Sequence, residues 1–182
     1  MNTRQVYWFV LAIVLSAWFV KSSPVKQNLA DSSPNDELAI AKIVNEPSSL
    51  SITKDQWVVG GKCNIEYLND APMSNAVHNF DRNNTLRLLG WAMDIESARL
   101  PDSLFIRFEG EHNADYFARA NIGLVRADVR DYFGVGEFLI RSGFKTNIDF
   151  GDLPDGEYSL NLIMKFVDAI YLCDNGRKIL VQ

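Results

Sequence analysis

The sequence predicts an all-β protein, an antiparallel β-sandwich of about eight short strands behind one N-terminal transmembrane helix. Three observations carry this. Apolar and polar residues alternate along Leu86 to Asp94, Leu104 to Phe108 and Tyr158 to Phe166, the pattern of a half-buried strand. Turn signals separate such runs, among them Asn69-Asp70-Ala71-Pro72, Leu153-Pro154-Asp155-Gly156 and Asp174-Asn175-Gly176. Val6 to Val20, by contrast, is apolar all round, with Ser16 its only interruption.

That apolar run follows Arg4 and is stopped by Lys21 and Ser22-Ser23-Pro24, the order of an export signal. It is short for a span, which needs about 20 residues, but Gln5 and a snorkelling Lys21 extend it. Tyr7, Trp8 and Trp18 lie near its ends, where an interfacial belt would sit. No good cleavage site follows, so an uncleaved anchor is favoured over a cleaved signal and a soluble periplasmic product. The chain therefore divides into a cytoplasmic tail at 1–5, an anchor or signal at 6–21, a linker at 22–56 and an exported sandwich at 57–182.

The linker is rich in Ser, Asn, Asp and Pro. Within it, Ser33-Pro34-Asn35-Asp36-Glu37 reads as a helix start. Leu38, Ile40, Ala41, Ile43 and Val44 would then form a short helix up to Asn45, as a spacer or a docking element.

The domain itself begins near Trp57. Cys63 to Leu68 alternates as a strand, and the segment after the Asn69 to Pro72 turn, up to Asn84, is polar and irregular. Leu86 to Asp94 is the next strand, and Pro101 breaks the loop after it. Leu104, Ile106 and Phe108 give one face of another strand, and Tyr116 to Ala120 returns the chain. Arg126 to Phe133 is charged and fits one or two helical turns. Phe144 to Phe150 is again a strand, and Tyr158 to Val167 is the cleanest alternation in the chain. Ile170 to Cys173 and Lys178 to Val181 read as a hairpin around Asp174-Asn175-Gly176, which puts Cys173 on the penultimate strand.

Cys63 and Cys173 are the chain's two cysteines. First and last strands of a sandwich are often neighbours, so a disulfide between them is expected, and it needs an oxidising compartment. Together with the apolar leader this places the domain in a bacterial periplasm, tethered to the inner membrane. The net charge of −5 argues against nucleic acid, which requires a basic face. His78 and His112 are too few for a self-sufficient zinc site, and no metal or cofactor is expected.

Taken in order, Cys63-Asn64-Ile65-Glu66-Tyr67-Leu68-Asn69, Gly90-Trp91-Ala92-Met93-Asp94, Arg126-Ala127-Asp128-Val129, Gly143-Phe144 and Leu153-Pro154-Asp155-Gly156-Glu157-Tyr158 form a spaced series. The series resembles a bacterial cell-envelope β-sandwich domain in which a GWA-x-D, RxDV, GF, LPxGxY pattern recurs. That domain occurs in exported proteins and in proteins of surface-glycan assembly. The resemblance covers Cys63 to Gln182 and implies an Ig-like fold and an envelope location, with no catalytic residue to carry over.

Each motif has a structural account. Gly90 would let the Trp91 indole lie against a bare spot in the core. Arg126 and Asp128 would brace a loop, Arg126 reaching back to a carboxylate or backbone carbonyls. Asp94, Gly143, Phe144, Gly156 and Tyr158 complete the structural set. The functional account makes Trp91, Arg126 and Asp128 a sugar-binding ledge. No G-x-S-x-G, H-E-x-x-H, phosphate loop or C-x-x-C is present, and no carboxylate pair stands out among Asp94, Asp128, Asp149 and Asp152. The expected function is thus a non-catalytic binding or assembly module of envelope or surface-glycan machinery, acting on a membrane or periplasmic protein. A carbohydrate-binding module and a hydrolase with an unrecognised site are the alternatives.

Overall fold

Alternating runs become strands, and their inward residues decide how those strands stack. The computed structural model describes residues 39–45, 50–51, 56–151 and 153–182. They form eleven strands: β1 (Ile40–Lys42), β2 (Trp57–Val59), β3 (Lys62–Leu68), β4 (Ala71–Pro72), β5 (Val77–Phe80), β6 (Leu86–Met93), β7 (Ser103–Glu109), β8 (Asp115–Leu124), β9 (Gly143–Asp149), β10 (Gly156–Lys165) and β11 (Ile170–Val181). One α-helix, α1 (Ala127–Phe133), lies between β8 and β9. The described chain is all-β in class.

The strands make two sheets. One runs β4-β3-β6-β9 and ends on the C-terminal half of β8; the other runs from the N-terminal half of β8 through β7 and β10 to β11. β8 belongs to both, pairing with β7 through Asp115–Ala120 and with β9 from Asn121 on. A strand that switches sheets in this way makes the corner of a sandwich. Leu86, Leu88 and Ala92 of the first sheet meet Leu104, Ile106, Phe108, Leu160, Leu162 and Met164 of the second in one shared core.

Several expectations need correction. Residues 40–42, read from sequence as part of a helix in a linker, are strand β1, which pairs in parallel with β9 at Asn147 to Asp149. Val44 then exchanges backbone hydrogen bonds with Phe117 of β8, at 2.9 and 2.7 Å. This segment occupies the seam where β8 leaves the first sheet. Unpaired β9 and β8 backbone groups there outweigh the weak local helix preference of so short a stretch. The ordered fold therefore starts before Trp57. The polar segment before Asn84 holds β5, and Ala71-Pro72 of the expected turn forms β4. Three pairings, β1 with β9 and β2 and β5 with β11, are parallel, so the sheets are not purely antiparallel.

The expected hairpin at Asp174-Asn175-Gly176 is instead a bulge within one continuous β11. β10 pairs with both halves, and the register shifts between Leu160 and Asn161. Asn175 Nδ2 donates to Leu160 O at 3.0 Å and Gly176 N to Asp174 Oδ1 at 2.8 Å, which fills the gap. A bulge and a tight turn share the same local residues, so only the long partner strand tells them apart. Cys173 consequently lies on the last strand.

Cys63 on β3 and Cys173 on β11 are bonded, with Cα atoms 6.3 Å apart, and tie the free edge of one sheet to the other. Arg177 crosses the same seam, donating to Ile65 O and Asn64 Oδ1, both at 3.0 Å, and to Asn75 Oδ1 at 2.7 Å. Among the described residues no helix is long and apolar enough to cross a membrane. The anchor expected over 6–21 lies outside them.

Candidate functional site

The outer face of the first sheet carries an apolar cluster of its own, of Trp91, Met93, Val129 and Leu139. Alternation explains it. On β6 the residues Leu86, Leu88 and Ala92 point inward, so Trp91 and Met93 must point outward. Trp91 therefore lies outside the sandwich core, contrary to expectation. It is still only 9% exposed, because α1 lies over it and Phe133 packs on the indole with ring centroids 5.3 Å apart.

The two glycine motifs interlock across the β6–β9 ladder, where Gly90 pairs with Phe144 and Trp91 with Gly143. Gly90 faces inward, and the Phe144 ring fills its empty place: a Cβ there would stand 2.8 Å from that ring. Gly143 faces outward beside Trp91, and the Arg126 stem lies over it. A Cβ on Gly143 would come 2.7 Å from Arg126 Cγ and 2.8 Å from Leu124 O. Each glycine thus admits a large side chain from elsewhere in the chain.

Glu66 reaches this face through a bulge in β3, where Ile65 pairs with Gly90 and Tyr67 with Leu89, leaving Glu66 extra. The bulge returns Leu68 to the core while keeping Glu66 outside. Glu66 Oε1 accepts from Trp91 Nε1 at 3.0 Å. Arg126, held by its stem over Gly143, donates from Nη1 to Glu66 Oε2 at 2.7 Å and from Nη2 to Glu66 Oε1 at 3.2 Å. Its Nε and Nη2 also donate to Asp128, at 2.9 and 2.6 Å. One guanidinium thus clamps two carboxylates, a geometry lysine cannot copy.

Burial opposes the charge on Arg126, but the hydrogen bonds to Asp128 and Glu66 outweigh it and raise its pKa above the ordinary arginine value. The hydrogen bond from Arg126 holds the Asp128 carboxyl below the usual range, against a smaller opposing effect of burial. A depressed folded-state value means Asp128 stabilises the fold fully above its unfolded pKa of about 3.9. That contribution fades as pH falls from there through the folded value. Arg126→Ala should therefore destabilise by about 1–3 kcal/mol near neutral pH and flatten the acid limb of the profile. Chemical denaturation at a series of pH values from neutral to acid reads both effects.

Above the cluster opens a cleft of about 600 Å³, lined by Cys63, Asn64, Glu66, Trp91, Asp128, Val129, Tyr132 and Phe133. Tyr132 is 83% exposed and packs edge-on against Phe133, centroids 4.9 Å apart. The structure thus brings the predicted trio Trp91, Arg126 and Asp128 together at one place. Sequence reasoning did not single out Glu66, Asn64, Tyr132 or Phe133. The one hint for Glu66 was the expectation that Arg126 reaches back to a carboxylate, with none named.

The remaining motif residues lie elsewhere. Asp94 is buried at the turn after β6, where it and Arg99 exchange backbone hydrogen bonds at 2.9 Å. Tyr158, beyond Gly156, is buried and donates to Pro154 O at 2.9 Å, and burial pushes its hydroxyl pKa up. Among the described residues no group of His, Cys, Asp and Glu is arranged to hold a metal ion. No protein-family model matches the chain, and no curated protein matches it in sequence.

Proposed function

We propose that the chain is a membrane-anchored, exported, non-catalytic binding module that serves envelope or surface-glycan machinery by contact, with an Ig-like sandwich as its body. The observation that carries this is the clamped cluster beneath the cleft. Arg126 holds Glu66 and Asp128 in one ion-paired unit, and Asp128 stays ionised. Asp128, held ionised by Arg126, is poorly suited to act as the general acid that glycoside hydrolysis requires. What remains is a fixed, shaped set of acceptors beside aromatic rings, suited to recognition. Export and anchoring are supported by the apolar run at Val6 to Val20 and by the bonded Cys63 and Cys173.

Crosslinking and pull-down from intact membranes test the reading. Deletion of residues 22–36, which leaves β1 in place, is expected to preserve capture of the same partner. Loss of that partner, with the domain still folded, would make the linker the contact and overturn the assignment to the sandwich.

A further inference from the structure

We infer that the cleft over Trp91 takes a neutral, hydroxyl-rich saccharide, bound against Tyr132 and hydrogen-bonded by the outer edges of Glu66 and Asp128. This rests on the binding-module reading and names the ligand class of the same site. The argument begins with charge. Two adjacent carboxylates would ordinarily recruit a cation, but here the cation is already supplied by the chain. Arg126 occupies the point where both carboxylates converge, with four donor contacts between 2.6 and 3.2 Å. An incoming amine would meet that guanidinium. An anion would meet two carboxylates.

A hydroxyl donor meets neither obstacle. An ionised carboxylate offers about four lone-pair directions, and Arg126 and Trp91 take only some of them. The clamp freezes both carboxylates, so little side-chain entropy is left to lose on binding. Asn64 Oδ1 is held by Arg177, which orients its amide group at the cleft wall. Tyr132, 83% exposed on the last turn of α1, presents a large ring among the residues lining the cleft, on the same surface as Glu66 and Asp128. An exposed aromatic face beside fixed acceptors matches the two sides of a sugar ring, its C–H face and its hydroxyl edge. Trp91 and Arg126 form the layer beneath and do not themselves make the platform.

The test titrates short neutral oligosaccharides of glucose, galactose, mannose or N-acetylglucosamine into the purified full chain by calorimetry. Binding of at least one is expected, with affinity nearly unchanged by added salt, since no net charge is paired. Tyr132→Ala should weaken it about tenfold or more, Tyr132→Trp should retain it, and Val167→Ser, at another exposed apolar position, should have no effect. The melting temperature of Tyr132→Ala should stay within roughly a few degrees of the parent, because the side chain is mostly exposed and gives up only its edge contact with Phe133. No binding at millimolar sugar, or binding that survives Tyr132→Ala, overturns the inference. So does tighter, salt-sensitive binding of choline or a lysine peptide. If sugars fail but the membrane partner is still captured, the binding-module reading stands and only the ligand class falls.

Discussion

Removing the Cys63–Cys173 bridge, by Cys63→Ala with Cys173→Ala, is expected to lower the unfolding free energy by about 4–5 kcal/mol. The two residues are 110 positions apart, so the bond closes a loop of most of the domain. Its effect lies mainly in the unfolded chain, whose freedom the loop restricts. In the folded chain the same seam is also held by Arg177 on Asn64, Ile65 and Asn75, so the native arrangement should persist without the bond. A loss of this size is a large share of the 5–15 kcal/mol that ordinary domains possess, roughly speaking. Urea titration of the bonded protein and the double variant measures it, and the variant should show a steeper m-value as its unfolded state expands. A difference below about 1 kcal/mol would mean the unfolded chain is already constrained elsewhere. In protein taken from native cells, both sulfurs should resist alkylation until reductant is added. Free thiols would remove the main support for an exported domain.

Gly90→Ala is expected to cost about 3 kcal/mol or more, and to reach the purified fraction poorly. The added methyl would overlap the Asn64 carbonyl oxygen of the neighbouring strand and press on the Phe144 ring. Backbone on one side and a fully buried ring on the other leave nothing flexible to yield. Gly143→Ala should be costly but milder, because its added methyl would stand 2.8 Å from the nearest backbone atom, the Leu124 carbonyl oxygen, farther than the Asn64 oxygen stands at Gly90. Part of its penalty should fall on the clamp through the displaced Arg126 stem, loosening Glu66 and Asp128. Thermal melts of the two variants rank them. A Gly90→Ala protein as stable as the parent would show that β3 and β6 pair less closely than described.

Legibility followed the range of the forces involved. Strands β3, β6, β7, β9 and β10 were readable because a period of two is a local property of a half-buried strand. The short helix after β8 was readable from its charged, short run between two strand patterns. β1 was not, since three residues take strand form only where two other strands leave their edges unpaired. The continuous β11 was misjudged because its bulge residues carry a turn signal, and only the length of β10 overrides it. At the site, sequence brought forward Trp91, Arg126 and Asp128 but put the indole in the wrong layer. Which face of a strand is interior depends on register against the opposite sheet, which no single stretch contains.

Composition, alternation and turn residues by themselves determined an all-β chain and supplied two cysteines for one bridge, and the motif residues came forward through the resemblance. Tertiary structure alone decided that Gly90 and Gly143 each admit a side chain from another segment. It also decided that Glu66 bulges out to meet Arg126 and that α1 roofs Trp91 to leave an open cleft with Tyr132 at its lip. The reason is physical: alternation is fixed by neighbours two positions away, whereas a clamp spanning Glu66 to Arg126 exists only once strands distant in sequence are packed.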